Sequence, residues 1–292
     1  MTAEPYLGHL DQVALASDRP AIDVRVLGGP ELRIHPRRGL DIGAAWFQGT
    51  PFAWIGPAGE GGSDRGDWRA SWGGGLVTTC GLDNVGAPSE GIGLHGTYTF
   101  QPATDVEIER SAFEVVIRGN VRDPRGLHVR REIRTTPGTV ELVDRTVNRE
   151  DRALEAPVLY HVNLGWPLWD AAALVESDAA SVRARDTEAE PHDPRSAPPA
   201  PADQPERVWE HVGAKRASVV NAALGLGVVL EFDLPRLWQW IDPSPGVYAL
   251  ALEPANCSVL GRAHDRVEGR LPFLAPGEER STRIVVRFGE VR

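Results

Sequence analysis

The chain is poor in several things that whole classes of protein require. Among its 292 residues there are two cysteines, one methionine and a single lysine, Lys215, against thirty arginines. Two cysteines, Cys80 and Cys257, can close at most one bridge, and a chain this long needs none, so both are expected to be reduced. They are also too few for a multi-cysteine zinc site. A Schiff-base enzyme would have to use Lys215, which stands in the polar stretch HVGAKRAS rather than in apolar surroundings that would activate it. No GxxxxGK[ST] phosphate loop occurs, and no HxH pair of the kind a cupin-like metal enzyme would carry. Positive charge is the minority sign: 31 basic against 41 acidic residues give a net charge of −10, which repels a phosphate backbone. Long apolar runs are missing as well. The longest uncharged stretch of that kind, Ala217 to Leu230, has 14 residues, short of the roughly 18 that suggest a membrane span. The opening MTAEPYLGHLDQ has neither the basic nor the apolar region of a signal peptide. Composition therefore points to a soluble, cytosolic protein without nucleic-acid or membrane partners.

What is present is period-2 alternation. Ile22-Asp23-Val24-Arg25-Val26, Phe113 to Arg118, Leu127-His128-Val129-Arg130, Val140 to Val147 and Thr282 to Phe288 read as half-buried strands with arginines on the wet face. With 31 glycines and 24 prolines the chain is punctuated too often for long helices. Asp170 to Ser177 is the one short helical candidate, with an acidic N-cap before Ala-Ala-Ala-Leu-Val. The fold class that follows is all-β, a large antiparallel β-sandwich with few or no helices. From Asp186 to Glu206 six prolines and six acids accompany one arginine, which predicts a long mobile loop. Strand character resumes unchanged after it, so the chain is expected to form a single domain over 1–292, a domain linker being the competing reading.

Nine of the aromatic residues are tryptophan. They cluster as Trp46, Trp54, Trp68 and Trp72, then Trp166 and Trp169, then Trp238 and Trp240, with Trp209 apart. A tryptophan face suits the C–H face of a sugar ring, although filling a wide core needs the same residues. Trp238 and Trp240, two apart, point to one face of a strand.

Three polar clusters interrupt the strand pattern. The first runs TTCGLDNVG from Thr78 to Gly86 and continues to Gly93-Leu94-His95-Gly96. The second is Tyr160-His161-Val162-Asn163-Leu164-Gly165-Trp166-Pro167, in which alternation puts His161 and Asn163 on one face. The third is Tyr248 to Asn256, an apolar strand with one carboxylate, Glu253, before a proline. A carboxylate in that setting is partly desolvated unless a partner offsets it, which suits a general base. Taken alone, His95 fits a turn, His161 a core histidine and Glu253 half of an ion pair. Together, at the ends of apolar strands far apart in sequence, they point to one cleft.

These residues resemble the aldose 1-epimerase (galactose mutarotase-like) superfamily, in the branch described only as a domain of unknown function. The resemblance rests on GGGLVTTCGLDNVG to GLHG, on YHVNLGWP and on LALEPANC, and extends from PRRGLDIGAAWFQG near Arg38 to Glu253. It implies the galactose mutarotase-like supersandwich. It also implies that His161 is the general acid, Glu253 the general base and His95 a substrate-binding residue, with Arg38, or alternatively Arg37, on the sugar hydroxyls. Asp83 and Asp242 are the candidates for a sugar-binding aspartate, and Asn163, Trp238 and Trp240 complete the expected substrate site. The family's HxYFNL core reads HVNLGW here, a departure that bears on sugar specificity more than on chemistry. The implied reaction is anomer interconversion of a small sugar by an acid and a base on opposite sides of the ring, with no metal or cofactor. A non-catalytic sugar-binding module, a related sugar isomerase or epimerase, and a phosphosugar mutarotase are the alternatives. A glycoside hydrolase would want two flanking carboxylates, and only Glu253 is firm. Which sugar is bound, and in what oligomeric state, is open at this level.

Overall fold

A computed structural model describes residues 9–14, 20–62, 68–111 and 113–290. The leading segment, on which the reading of the N-terminus partly rests, lies outside these through residue 8.

Antiparallel strands dominate. Two large sheets face one another. In the first, of eight strands, the spatial order is Ala173–Ser177, Arg216–Asn221, Leu226–Phe232, Glu279–Glu290, Thr139–Asn148, Leu127–Thr136, Glu114–Arg122 and Ala103–Ser111. In the second, of six, it is Ser181–Ala184, Arg207–Val212, Arg236–Asp242, Ala249–Ala255, Val158–Leu164 and Thr78–Gly81. A five-stranded sheet from His9–Ala14 to Thr50–Pro51 and a two-stranded pair complete the β structure. The described helices are short, Trp68–Ser71 and Arg262–Val267 among them, and none is long and apolar enough to cross a membrane.

Alternation explains how the sheets face each other. Along Leu127–Thr136 the odd residues are buried and the even ones are half-buried or exposed, the signature of one face on a core and one in water. The inward sets of both large sheets join in one apolar cluster that includes Ile133, Leu142, Tyr160, Val162, Leu250 and Leu252. Fully burying an aliphatic side chain of this kind is worth about 1.5–3 kcal/mol. The strands Val158–Leu164 and Ala249–Ala255 are buried along their whole length. Their even residues enter that core. Their odd residues Leu159, Ala249, Ala251 and Ala255 join a second cluster of buried side chains with Trp54, Trp68, Trp72, Trp238 and Trp240.

Two expectations are corrected. Asp170–Ser177 is not a helix: Asp170 Oδ1 accepts a hydrogen bond from the Ala172 amide at 2.8 Å, closing a turn, and Ala173–Ser177 continues as a strand paired with Arg216–Asn221. A local Asx turn and the β-favouring Val175, buried against the core, override the acidic cap. The Pro-rich segment does lack strands from 186 to 206, but it is tied to the body rather than loose. Gln239 Nε2 donates to the Pro194 carbonyl at 2.7 Å, the Ala202 amide to Pro243 at 2.8 Å, and the Val175 amide to Arg195 at 2.8 Å.

Candidate functional site

On the face of the six-stranded sheet that carries the odd residues of Val158–Leu164 and Ala249–Ala255 lies a cavity of about 500 Å³ lined by His161, Glu253, His95, Asp242, Arg185, Glu206 and four tryptophans, Trp54, Trp68, Trp72 and Trp240. The glutamate strand contributes Ala249, Ala251 and Ala255 to this face beside Glu253. Small side chains beside large rings keep the space above the sheet open.

His161 and Glu253 come from neighbouring antiparallel strands. His161 Nε2 lies 3.0 Å from Glu253 Oε1, and both side chains are buried. The other ring nitrogen is bound to Asn163, two residues on along the same face. Asn163 Nδ2 donates to the carbonyls of Gly75 (2.7 Å) and His161 (2.9 Å). Its Oδ1 is therefore the atom facing the ring, and His161 Nδ1 must carry a hydrogen to donate to it. With Nδ1–H committed to Asn163, Nε2 is the nitrogen left to gain or lose a proton beside Glu253 Oε1, and the two make an ion pair when the ring is protonated. The Trp72 and Trp240 rings pack edge-on against the imidazole, at centroid distances of 4.8 and 5.6 Å, and limit water around it.

His95 sits in the turn between Thr78–Gly81 and the 3-10 segment at Tyr98–Phe100. Its φ of 57° is left-handed, as is the φ of 71° at Gly96, a conformation rare for a non-glycine residue and characteristic of sites where a side chain must be aimed. The His95 amide donates to the Gly86 carbonyl and the His95 carbonyl accepts from the Gly81 amide, both at 2.9 Å. Its ring lies 4.6 Å from Trp68 and 5.7 Å from His161. Asp83 secures this turn. It accepts from the Asn84 amide, the Thr97 amide and the Thr97 hydroxyl at 2.8–2.9 Å. A Cβ at Gly96 would stand 2.3 Å from its Oδ1, so only glycine fits there.

The other predicted residues divide. Trp240 and Asp242 line the cavity; Asn163 lies behind His161; Asp83, Trp238 and Arg38 do not line it. Trp238 donates its Nε1–H to the Cys257 carbonyl at 3.2 Å within the second cluster. Arg38 is buried with its guanidinium 4.6 Å over the Phe100 ring, in a small hollow shared with Asp41, Thr78 and Trp72. It is thus separated from the cavity by Trp72, which lines both.

Arg185 and Glu206 are cavity residues that sequence reasoning did not single out. Arg185 pairs with Asp186 at 2.6 Å and with Glu206 at 3.3 Å, and Glu206 accepts from Trp240 Nε1 at 2.9 Å. The pair brackets the Pro-rich segment and closes it against a cavity wall. The only signal available was the position of two opposite charges at the two ends of that segment. Among the described residues no group of three or more His, Cys, Asp or Glu is arranged to hold a metal ion.

Residues 17–288 match the protein family described as Domain of unknown function (DUF4432). No curated protein matches the chain. Solved structures share the fold. A candidate aldose 1-epimerase of Klebsiella pneumoniae superposes with a TM-score of 0.87 at 21% identity, over 96% of this chain and 83% of that one. A galactose mutarotase-like protein of Clostridium acetobutylicum does so with 0.69 at 13%, over 98% and 100%. One of Lactobacillus casei gives 0.62 at 11%, over 96% and 100%.

Proposed function

Since the chain belongs to the DUF4432 family and has the mutarotase-like sandwich fold, we propose that it is a cofactor-independent aldose 1-epimerase in which Glu253 and His161 form the acid–base pair. The observation that carries this reading is the 3.0 Å contact of His161 Nε2 with Glu253 Oε1 at the wall of a tryptophan-lined cavity. The expectation of an acid and a base on opposite sides of the ring is revised here to two neighbours. Ring opening suits that arrangement, because the two oxygens that exchange protons, O1 and the ring oxygen, are bonded to the same anomeric carbon.

In the forward step the Glu253 carboxylate takes the O1 proton and imidazolium Nε2 gives one to the ring oxygen. The C1–ring-oxygen bond breaks, its electron pair stays on oxygen, and C1=O1 forms. After rotation about C1–C2, neutral His161 recovers the proton from the ring hydroxyl as it attacks C1, and Glu253 returns its own to O1. Each general acid or base contributes about 10²–10⁴ in rate. Asn163 holds Nδ1–H throughout, so Nε2 is the nitrogen that exchanges. His95, Asp242, Arg185 and Glu206 supply polar contacts to hydroxyls, and the indoles supply faces for C–H groups.

A non-catalytic carbohydrate-binding protein is the second reading, favoured by the four tryptophans alone. Saturation-exchange NMR on glucose, galactose, fucose and a phosphorylated hexose separates the two. Accelerated anomer exchange on at least one sugar supports the enzyme, and saturable binding without acceleration supports the binding module.

A further inference from the structure

The outer face of the eight-stranded sheet, on the opposite side of the sandwich from the cavity, is rich in arginine at both ends. The ends are treated differently. Toward one end most outward arginines, Arg216 excepted, meet a carboxylate: Arg118 pairs with Glu109 at 2.9 Å and Glu132 at 2.6 Å. Arg134 pairs with Glu132 at 3.0 Å, Arg287 with Glu231 at 3.0 Å, and Arg283 with Glu141. Toward the other end, Arg122, Arg130, Arg145 and Arg149 are exposed and make no salt bridge or side-chain hydrogen bond among the described residues. They surround a hollow of about 420 Å³ with His128, Asn120 and Glu279.

The register makes the concentration of charge deliberate. Arg130 stands directly across from Arg145, and Arg122 directly across from His128. Like charges directly opposed on antiparallel strands destabilise a sheet, and here they stand in a protein whose net charge is −10. Burial together with the fields of Arg122 and Arg149, against Glu150, holds the His128 imidazole below its ordinary pKa. The histidine is thereby kept neutral and able to accept or donate one hydrogen bond rather than adding a fifth charge. Guanidinium groups bind phosphate oxygens bidentately. With Glu279 beside the four arginines the lining sums to +3; a phosphate group carries about −1.5 to −2 at neutral pH, so one leaves an excess of positive charge and two, at about −3 to −4, offset it.

We propose that this hollow is a second binding site, for a small soluble anion bearing two phosphate groups. It shares no residue with the sugar cavity and does not depend on the epimerase reading. The test is titration of the full chain with sodium pyrophosphate at physiological ionic strength, by calorimetry and by thermal shift. Wild type, Arg130→Gln/Arg145→Gln and Arg283→Gln are compared.

Saturable binding that weakens at least tenfold in Arg130→Gln/Arg145→Gln and is unchanged in Arg283→Gln is expected. Without ligand, the double variant should melt at or above the wild-type temperature, because an opposed pair of like charges has been removed. That separates loss of a site from loss of the fold. No saturable binding, or equal affinity in the double variant, overturns the proposal. Sedimentation with phosphatidylcholine vesicles containing phosphatidic acid distinguishes the source of the phosphate. Absence of co-sedimentation is expected, and co-sedimentation competed by pyrophosphate would overturn the soluble ligand in favour of a lipid headgroup.

Discussion

Two centres of buried charge lie one residue apart along the strand Val158–Leu164. Tyr160 points into the sandwich and donates its hydroxyl to Asp144 at 2.7 Å. Asp144 in turn is held by Arg131, which is fully buried. His161 points out of it and meets Glu253. The inward centre is saturated. Arg131 spends all five N–H groups: two on Asp144, two on Asp41 and the Gly39 carbonyl, and one on the Thr79 hydroxyl. Burial pushes the Asp41 carboxyl up, against the pull of Arg131, Thr79 and Thr99. The outward centre has few fixed partners, one of them Asn163, and an open side on the cavity. A charged group whose every lone pair and proton is committed can hold three sheets together and nothing else. One with an open side can exchange a proton with a ligand.

Substitutions can break this contrast, and the largest effect is expected at the inward centre. Arg131→Met leaves Asp41 and Asp144 buried without their cation, and should cost about 3–5 kcal/mol in urea unfolding. If it costs less than about 1 kcal/mol, the network is ornamental and the contrast fails. Glu253→Gln should do the reverse. The amide can still donate to the Nε2 lone pair of a neutral His161, so unfolding should shift by no more than about 1 kcal/mol, while anomer exchange falls about 10²–10⁴-fold. A loss of stability matching that of Arg131→Met would show that the outward pair is structural too.

Smaller effects sharpen the comparison. Asn163→Ala frees Nδ1–H and should lower exchange about 10- to 100-fold, with a change in the pH profile that a purely structural loss would not produce. The inward-facing His211 provides a contrast in pH response. Its ring is bonded to Gln239 at 2.7 Å and Ser177 at 2.8 Å, and burial, partly offset by Gln239, lowers its pKa from 6.5. The native state therefore keeps it neutral while the unfolded chain takes up a proton below about pH 6.5. Its stabilisation is present above that pH and lost as pH falls toward the native value. His211→Gln should flatten the acid side of the stability curve by up to about 1.4 kcal/mol per pH unit.

How much of this was legible depends on whether the determinant is local. Alternation yields the strands, and it places His161 with Asn163 and sets Glu253 on an apolar strand. Their convergence followed from three motifs at strand ends. Asp83 was visible as a polar anomaly, but its service to the His95 turn depends on the backbone at Gly96, which no side-chain pattern encodes. The arginines in these strands were assigned to the wet face, which holds for Arg130 and Arg145. Parity alone puts Arg131 and Asp144 inward, but a buried ion network is recognisable only once Asp41 and Thr79 arrive from other sheets. Arg185 and Glu206 meet because a Pro-rich segment folds back, and nothing in its composition specifies where.

The most direct test of the central claim is a double-mutant cycle on anomer exchange, comparing wild type, His161→Ala, Glu253→Gln and the double variant by saturation-exchange NMR. If the two residues act as one proton-transfer unit, each single substitution removes nearly all the acceleration and the double removes little more. Acceleration retained in either single variant would contradict the assignment of the pair.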